Sequence, residues 1–182
     1  MALAVYVHVP WCLQRCPYCD FATTAVQPRE IPHDGYADAV IGELAMRARH
    51  FGGPVGTLFF GGGTPSLWEP AAIARVIAAV RGTFGAPDEV TVECNPTSLD
   101  EARAEQLSEA GVTRVSIGVQ SLRDEHLRYL GRLHDAGGAV RAVGDAVRAG
   151  GLRVSADLMF GMPGQGAVVL VDDARRLVDL GV

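Results

Sequence analysis

Short β-type runs and helix-type runs alternate along all 182 residues of this chain, and no other feature restricts its fold as much. The runs Ala4 to Val9, Thr57 to Phe60, Glu89 to Cys94, Thr113 to Val119 and Arg153 to Leu158 are the expected strands. Between and after them, apolar residues recur at helical spacing, as in Tyr36, Val40, Leu44 and Ala48. This spacing predicts helices over Tyr36 to His50, Glu69 to Arg81, Leu122 to Leu130, Ala139 to Ala149 and Val168 to Leu180. A further helix runs to Ala110, opened by the capping-box pattern Ser98-Leu99-Asp100-Glu101 and ended by Gly111. Strands alternating with helices imply an α/β fold, a parallel sheet with helices outside it. The strands read as near-continuous apolar runs, the pattern of strands buried on both faces. A doubly wound sheet and a β/α barrel both satisfy this much.

Chemistry-bearing residues choose between them. Three cysteines follow strand one, and Gly61-Gly62-Gly63-Thr64-Pro65 follows strand two. Glu93, Gln120 and Asp157 lie at or near the ends of strands three, four and five. Each polar residue alone reads equally well as a helix cap. Five such sites in register point instead to a barrel, whose strand ends converge on one mouth.

Composition narrows the function. All 16 basic residues are arginine, which excludes a Schiff-base lysine, a pyridoxal-phosphate enzyme and a Walker-A phosphate loop. A net charge of −5 argues against nucleic acid as a partner. Glycine, at 22 residues, exceeds the usual share without any repeat, so the excess belongs to turns and ligand-facing loops. The N-terminus lacks the basic region of a signal peptide, and no apolar run reaches the ~18 residues of a membrane span. A cytoplasmic location is expected.

Cys12, Cys16 and Cys19 form a C-x3-C-x2-C cluster. In a reducing compartment such clustering suggests metal ligation rather than disulfides. Soft thiolates suit an iron–sulfur cluster, zinc or Cu(I). Zinc needs a fourth ligand, for which Cys94 and His8 are candidates. A cubane [4Fe–4S] cluster held by three cysteines keeps one iron open to another ligand.

These residues resemble those of the radical S-adenosylmethionine (radical SAM) enzymes. The resemblance rests on Tyr-Val-His-Val-Pro-Trp-Cys from Tyr6, Phe-Gly-Gly-Gly-Thr-Pro-Ser from Phe60 and Glu-Cys-Asn-Pro from Glu93. It continues with Ser-Ile-Gly-Val-Gln-Ser from Ser116, Gly-Arg-Leu-His from Gly131 and Asp-Leu-Met-Phe-Gly-Met-Pro-Gly-Gln from Asp157. In this order the motifs resemble the oxygen-independent coproporphyrinogen III oxidase branch, and within it the HemW-type haem chaperones. The resemblance implies that Cys12, Cys16 and Cys19 hold a [4Fe–4S] cluster whose open iron binds S-adenosylmethionine. It assigns cofactor contacts to Tyr6, Tyr18, Gly62, Gly63, Thr64, Glu93, Gln120, Arg132 and Asp157. It implies a partial (β/α)6 barrel. Residues 1–182 would then be a core domain of about five βα units that stops before the sixth strand, without the C-terminal domain.

One position departs from the oxidases, which carry another cysteine two residues after the last ligand. Here that residue is Phe21. This favours a chaperone that binds haem and passes it to an acceptor protein, with a flavodoxin-like protein as electron donor. His134 is then a candidate haem contact. The alternatives are a coproporphyrinogen III dehydrogenase and a non-catalytic, zinc-stabilised α/β scaffold.

Overall fold

A computed structural model describes residues 2–182. Its strands are β1 (Leu3–Val9), β2 (Trp11–Cys12), β3 (Thr24–Ala25), β4 (Val55–Gly62), β5 (Glu89–Cys94), β6 (Arg114–Gln120) and β7 (Arg153–Leu158). Its helices are α1 (His33–Arg47), α2 (Pro70–Phe84), α3 (Glu101–Glu109), α4 (Asp124–Tyr129), α5 (Ala136–Ala149) and α6 (Ala167–Asp179).

The main sheet runs β1-β4-β5-β6-β7, and every pair is parallel. Spatial order therefore follows chain order without reversal. A doubly wound sheet reverses at a switch point and places helices on both faces. Here each crossover steps the same way, so crossovers of the usual right hand place every helix on one face. The result is an α/β fold forming an open arc of a β/α barrel. Among the described residues, β1 and β7 each pair on one side only.

Side-chain parity explains the layers. Val7, Val9, Leu58, Phe60, Val90, Val92, Val115 and Ile117 face the helices and are buried. They pack with Ile73, Val76 and Ile77 of α2, Leu107 of α3 and Val143 of α5 in one core. The alternate residues face the concave side and meet across the ladder, as in His8↔Gly61, Glu93↔Ser116 and Ser116↔Ser155. The expectation of near-continuous apolar strands is thus corrected. Only one face is dry, because the other lines the barrel interior.

Several element ends also shift. The expected capping box does not form. Asp100 is the N-cap of α3 and accepts from the Arg103 amide at 2.8 Å, while the Ser98 hydroxyl pairs with Ser66 at 2.6 Å. α1 starts at His33 and α5 at Ala136, each three residues early; α5 is capped by Asp135, which accepts from the Gly138 amide at 2.6 Å. Nothing in the sequence signalled Asp173. This buried carboxylate of α6 accepts from the Leu122 amide (2.9 Å), Ser121 Oγ (3.1 Å) and Arg123 Nε (3.2 Å), locking α6 to the end of β6. No helix among the described residues is long and apolar enough to cross a membrane.

Candidate cluster and cofactor site

The cysteines occupy the long loop between β1 and α1, laid across the C-terminal ends of the strands. The two-residue strands β2 and β3 pair within this loop, too short to leave a sequence period. Trp11 anchors it against the helix layer, with its ring 4.7 Å from Tyr36 and 6.4 Å from buried Trp68, both edge-on. His8 Nε2 meets the Ala22 carbonyl at 2.8 Å, which ties the loop to β1. On the far side Gln14 Nε2 donates to the Gly131 carbonyl at 3.3 Å.

Cys12, Cys16 and Cys19 line one cavity of about 200 Å³. Gly62, Gly63 and Thr64 reach it from the end of β4, Glu93 from β5, Gln120 from β6 and Asp157 from β7. Tyr18 and Arg132 complete it from loops. Tyr6 stands apart, on the concave face of β1. Its ring stacks on Phe59 at 6.1 Å and its hydroxyl lies 3.2 Å from His8 Nδ1. None of Glu93, Gln120 and Asp157 caps a helix.

Close approach explains the glycines. At Gly62 the φ is +117°, and an added Cβ would stand 2.6 Å from the His8 ring. At Gly63 a Cβ would stand 2.5 Å from the Trp11 carbonyl oxygen. Only glycine lets β4 pass beneath the cysteine loop.

The polar groups are held from several directions. Glu93 accepts from the Gly62 amide at 2.9 Å. Burial raises its pKa, that hydrogen bond opposes the rise, and Asp157 adds to it. Desolvation also raises Asp157, against Ser116 and Arg114. Thr64 Oγ1 donates to Cys12 Sγ at 3.7 Å. Arg132 reaches Cys16 Sγ at 3.6 Å, Tyr18 Oη at 3.4 Å and the Gly118 carbonyl at 2.8 Å. Its Nε is buried without a partner.

Two sequence candidates differ from the rest. Cys94 borders the cavity, but it packs in the hydrophobic core, where burial pushes its thiol up to about 12. His134 is 8% exposed, and its Nε2 lies 3.1 Å from the Val119 carbonyl. It lines a separate open cleft of about 880 Å³ between the first turns of α3 and α5, which no cysteine lines. Sequence reasoning passed over Ser116, which also lines the cavity. Strand alternation could have found it, because it shares the concave face with Glu93 and Asp157.

The donor set suits a cluster better than a single ion. Among the described residues, no three His, Cys, Asp or Glu side chains gather closely enough to share one metal ion. A zinc ion draws four ligands to itself, with sulfur at about 2.3 Å. An iron–sulfur cubane takes one thiolate on each of separate irons, so its cysteines ring a cavity.

Residues 6–177 match the sequence model of the radical SAM superfamily. The chain belongs to the radical SAM superfamily. Within the superfamily, it is 39% identical over 181 residues to the heme chaperone HemW of Escherichia coli, covering 98% of this chain and 48% of that one. It is 42% identical over 170 residues to the mitochondrial radical S-adenosyl methionine domain-containing protein 1 of Danio rerio, covering 89% and 37%. The radical SAM enzyme coproporphyrinogen III oxidase, HemN, from Escherichia coli superposes with a TM-score of 0.81 at 29% identity, covering 99% of this chain and 42% of that one. The chain spans about half the length of the HemW relatives it matches.

Proposed function

We propose that this radical SAM chain is the cofactor-binding part of a HemW-type haem chaperone. It holds a [4Fe–4S] cluster and S-adenosylmethionine and serves the delivery of haem to an acceptor protein. One observation carries the reading. In a chain 39% identical to HemW, the three cysteines share one cavity with Thr64, Glu93, Gln120, Arg132 and Asp157.

Cys12, Cys16 and Cys19 would ligate the cluster. When bound, the cluster supplies an electron and an open iron for amino and carboxylate groups. Arg132 offers a planar fork of donors to a carboxylate. Glu93 and Asp157 offer acceptors to ribose hydroxyls or a cationic group. Gly62 and Gly63 bring bare backbone to the methionine end, and Tyr18 closes the loop side, while Tyr6 stands on the concave face of β1 outside the cavity lining. A flavodoxin-like electron donor and a cytoplasmic setting, where thiols stay reduced, belong to the same reading.

The likeness to HemN favours a second reading, a coproporphyrinogen III dehydrogenase. Phe21 opposes it, being 64% exposed where that enzyme branch carries a further cysteine. Against the zinc scaffold, Cys94 packs in the hydrophobic core and His8 Nε2 lies 2.8 Å from the Ala22 carbonyl. Anaerobic reconstitution followed by haem titration tests the proposal. Iron and sulfide in cluster ratio with about one haem per chain are expected. Zinc in place of iron, no haem binding by the full-length protein, or turnover of coproporphyrinogen would overturn it.

A further inference from the structure

Asp157 sits opposite a break in the register between β6 and β7. β6 and β7 pair continuously from Arg114↔Arg153 to Ile117↔Ala156 and resume only at Gln120↔Leu158. Gln120 is also the one non-glycine residue with a positive φ, 67°, among the described residues. The extra residue lies on β6, and Ala156 and Leu158 on either side of Asp157 keep their ladder partners. Asp157 therefore faces the cavity from a strand position whose own partner on β6 is displaced. Its carboxylate has one hydrogen-bonding side chain, Ser116, whose Oγ lies 3.2 and 3.3 Å from the two oxygens.

Ser116 is itself buried and is held in turn. Ser155 Oγ donates to Ser116 Oγ at 3.1 Å, a shorter contact than its alternative, the Val115 carbonyl at 3.3 Å. Arg114 Nη2 donates to Ser155 Oγ at 2.8 Å. Glu89 anchors the far end, with Arg114 at 3.7 Å, Arg153 at 2.5 Å and Thr91 Oγ1 at 2.7 Å. A guanidinium can only donate, and an ionised carboxylate can only accept. The two hydroxyls between them are thereby oriented, each accepting from one neighbour and donating to the next. Such a chain polarises its members. It runs along the concave face from the floor of the barrel to the cofactor cavity.

We infer that Ser116 is a positioning residue for Asp157, oriented by Arg114 through Ser155, and that it sets the ligand-binding geometry of that carboxylate. The inference rests on reading the cavity as an S-adenosylmethionine site. A merely structural pin on β7 would lower the melting temperature and the iron content. A positioning role lowers ligand affinity and leaves both unchanged.

The test is calorimetric binding of S-adenosylmethionine to cluster-loaded protein, with iron content and thermal melting measured alongside. Ser116→Ala should bind about tenfold more weakly, the scale of one lost hydrogen bond to a charged group. Ser116→Thr should restore most of the affinity. Ser155→Ala, which removes only the upstream donor, should weaken binding about threefold. Wild-type affinity in Ser116→Ala would overturn the inference. So would failure of the threonine rescue, or an affinity loss matched by lost iron and a lower melting temperature. Cluster-loaded wild-type protein that binds no S-adenosylmethionine would sink the functional proposal itself.

Discussion

Arg132 Nη1 lies 3.6 Å from Cys16 Sγ while Nη2 donates to the Gly118 carbonyl at 2.8 Å. One guanidinium thus joins the cysteine loop to the end of β6. Reduction adds negative charge to a thiolate-ligated cluster, and a cation held beside the sulfur stabilises that charge. Arg132→Met should therefore lower the midpoint potential, and Arg132→Lys should lower it less. Potentiometric titration followed by electron paramagnetic resonance, without S-adenosylmethionine, reads this directly. An unchanged potential in the methionine variant refutes it.

Gly63 passes beneath Trp11 with no room for a side chain. A Cβ there would meet backbone atoms, with the Trp11 carbonyl oxygen at 2.5 Å, and backbone yields less readily than a flexible side chain. Gly63→Ala should destabilise the fold by about 1–3 kcal/mol. Urea denaturation of the apo-protein measures this, and a loss under a few tenths of a kcal/mol contradicts it.

Cys94 and the loop cysteines should separate cleanly. Cys94 Sγ contacts the Val92 carbonyl at 3.7 Å on the helix side of the sheet. Cys94→Ala should keep the wild-type content of iron and sulfide and cost about 1 kcal/mol of packing. Cys12→Ala should lose the cluster. Metal analysis after parallel reconstitution decides, and iron loss in Cys94→Ala would make it a ligand.

His134 should leave a signature in acid. Burial is the main cause that brings its pKa down to about 4; Arg132 adds to the shift and the Val119 carbonyl opposes it. The same side chain titrates near 6.5 in an unfolded chain. Between these values the unfolded state takes up a proton that the native state refuses. Stability therefore falls as pH drops from about 6.5 to about 4, by up to about 3 kcal/mol, and this contribution levels off below. His134→Gln should flatten the difference in denaturation free energy between pH 7.5 and pH 5. An equal slope in both proteins removes His134 from the account.

Glu93, Gln120 and Asp157 show how much of the site could be read in advance. Each stands at the end of a strand that could be recognised from its own residues, and parallel strands in one sheet bring such ends together. The three cysteines were legible for the same reason, because their spacing is local. Ser116 was not. It lies inside a readable strand, but its partner Asp157 is 41 residues away. Asp173 was hidden likewise, since its partners Ser121, Leu122 and Arg123 belong to another βα unit.

The sequence by itself determined the βα order, the cysteine cluster and the residues at the strand ends, because each is written within one short segment. Tertiary structure decided what depends on segments meeting. It set the strand order β1-β4-β5-β6-β7, which bears out the barrel-like winding that the strand-end residues pointed to. It turned one strand face toward a polar interior, placed Cys94 in the dry layer and closed His134 against Val119. Burial and hydrogen-bond partners come from packing, and no single segment encodes both sides of a contact.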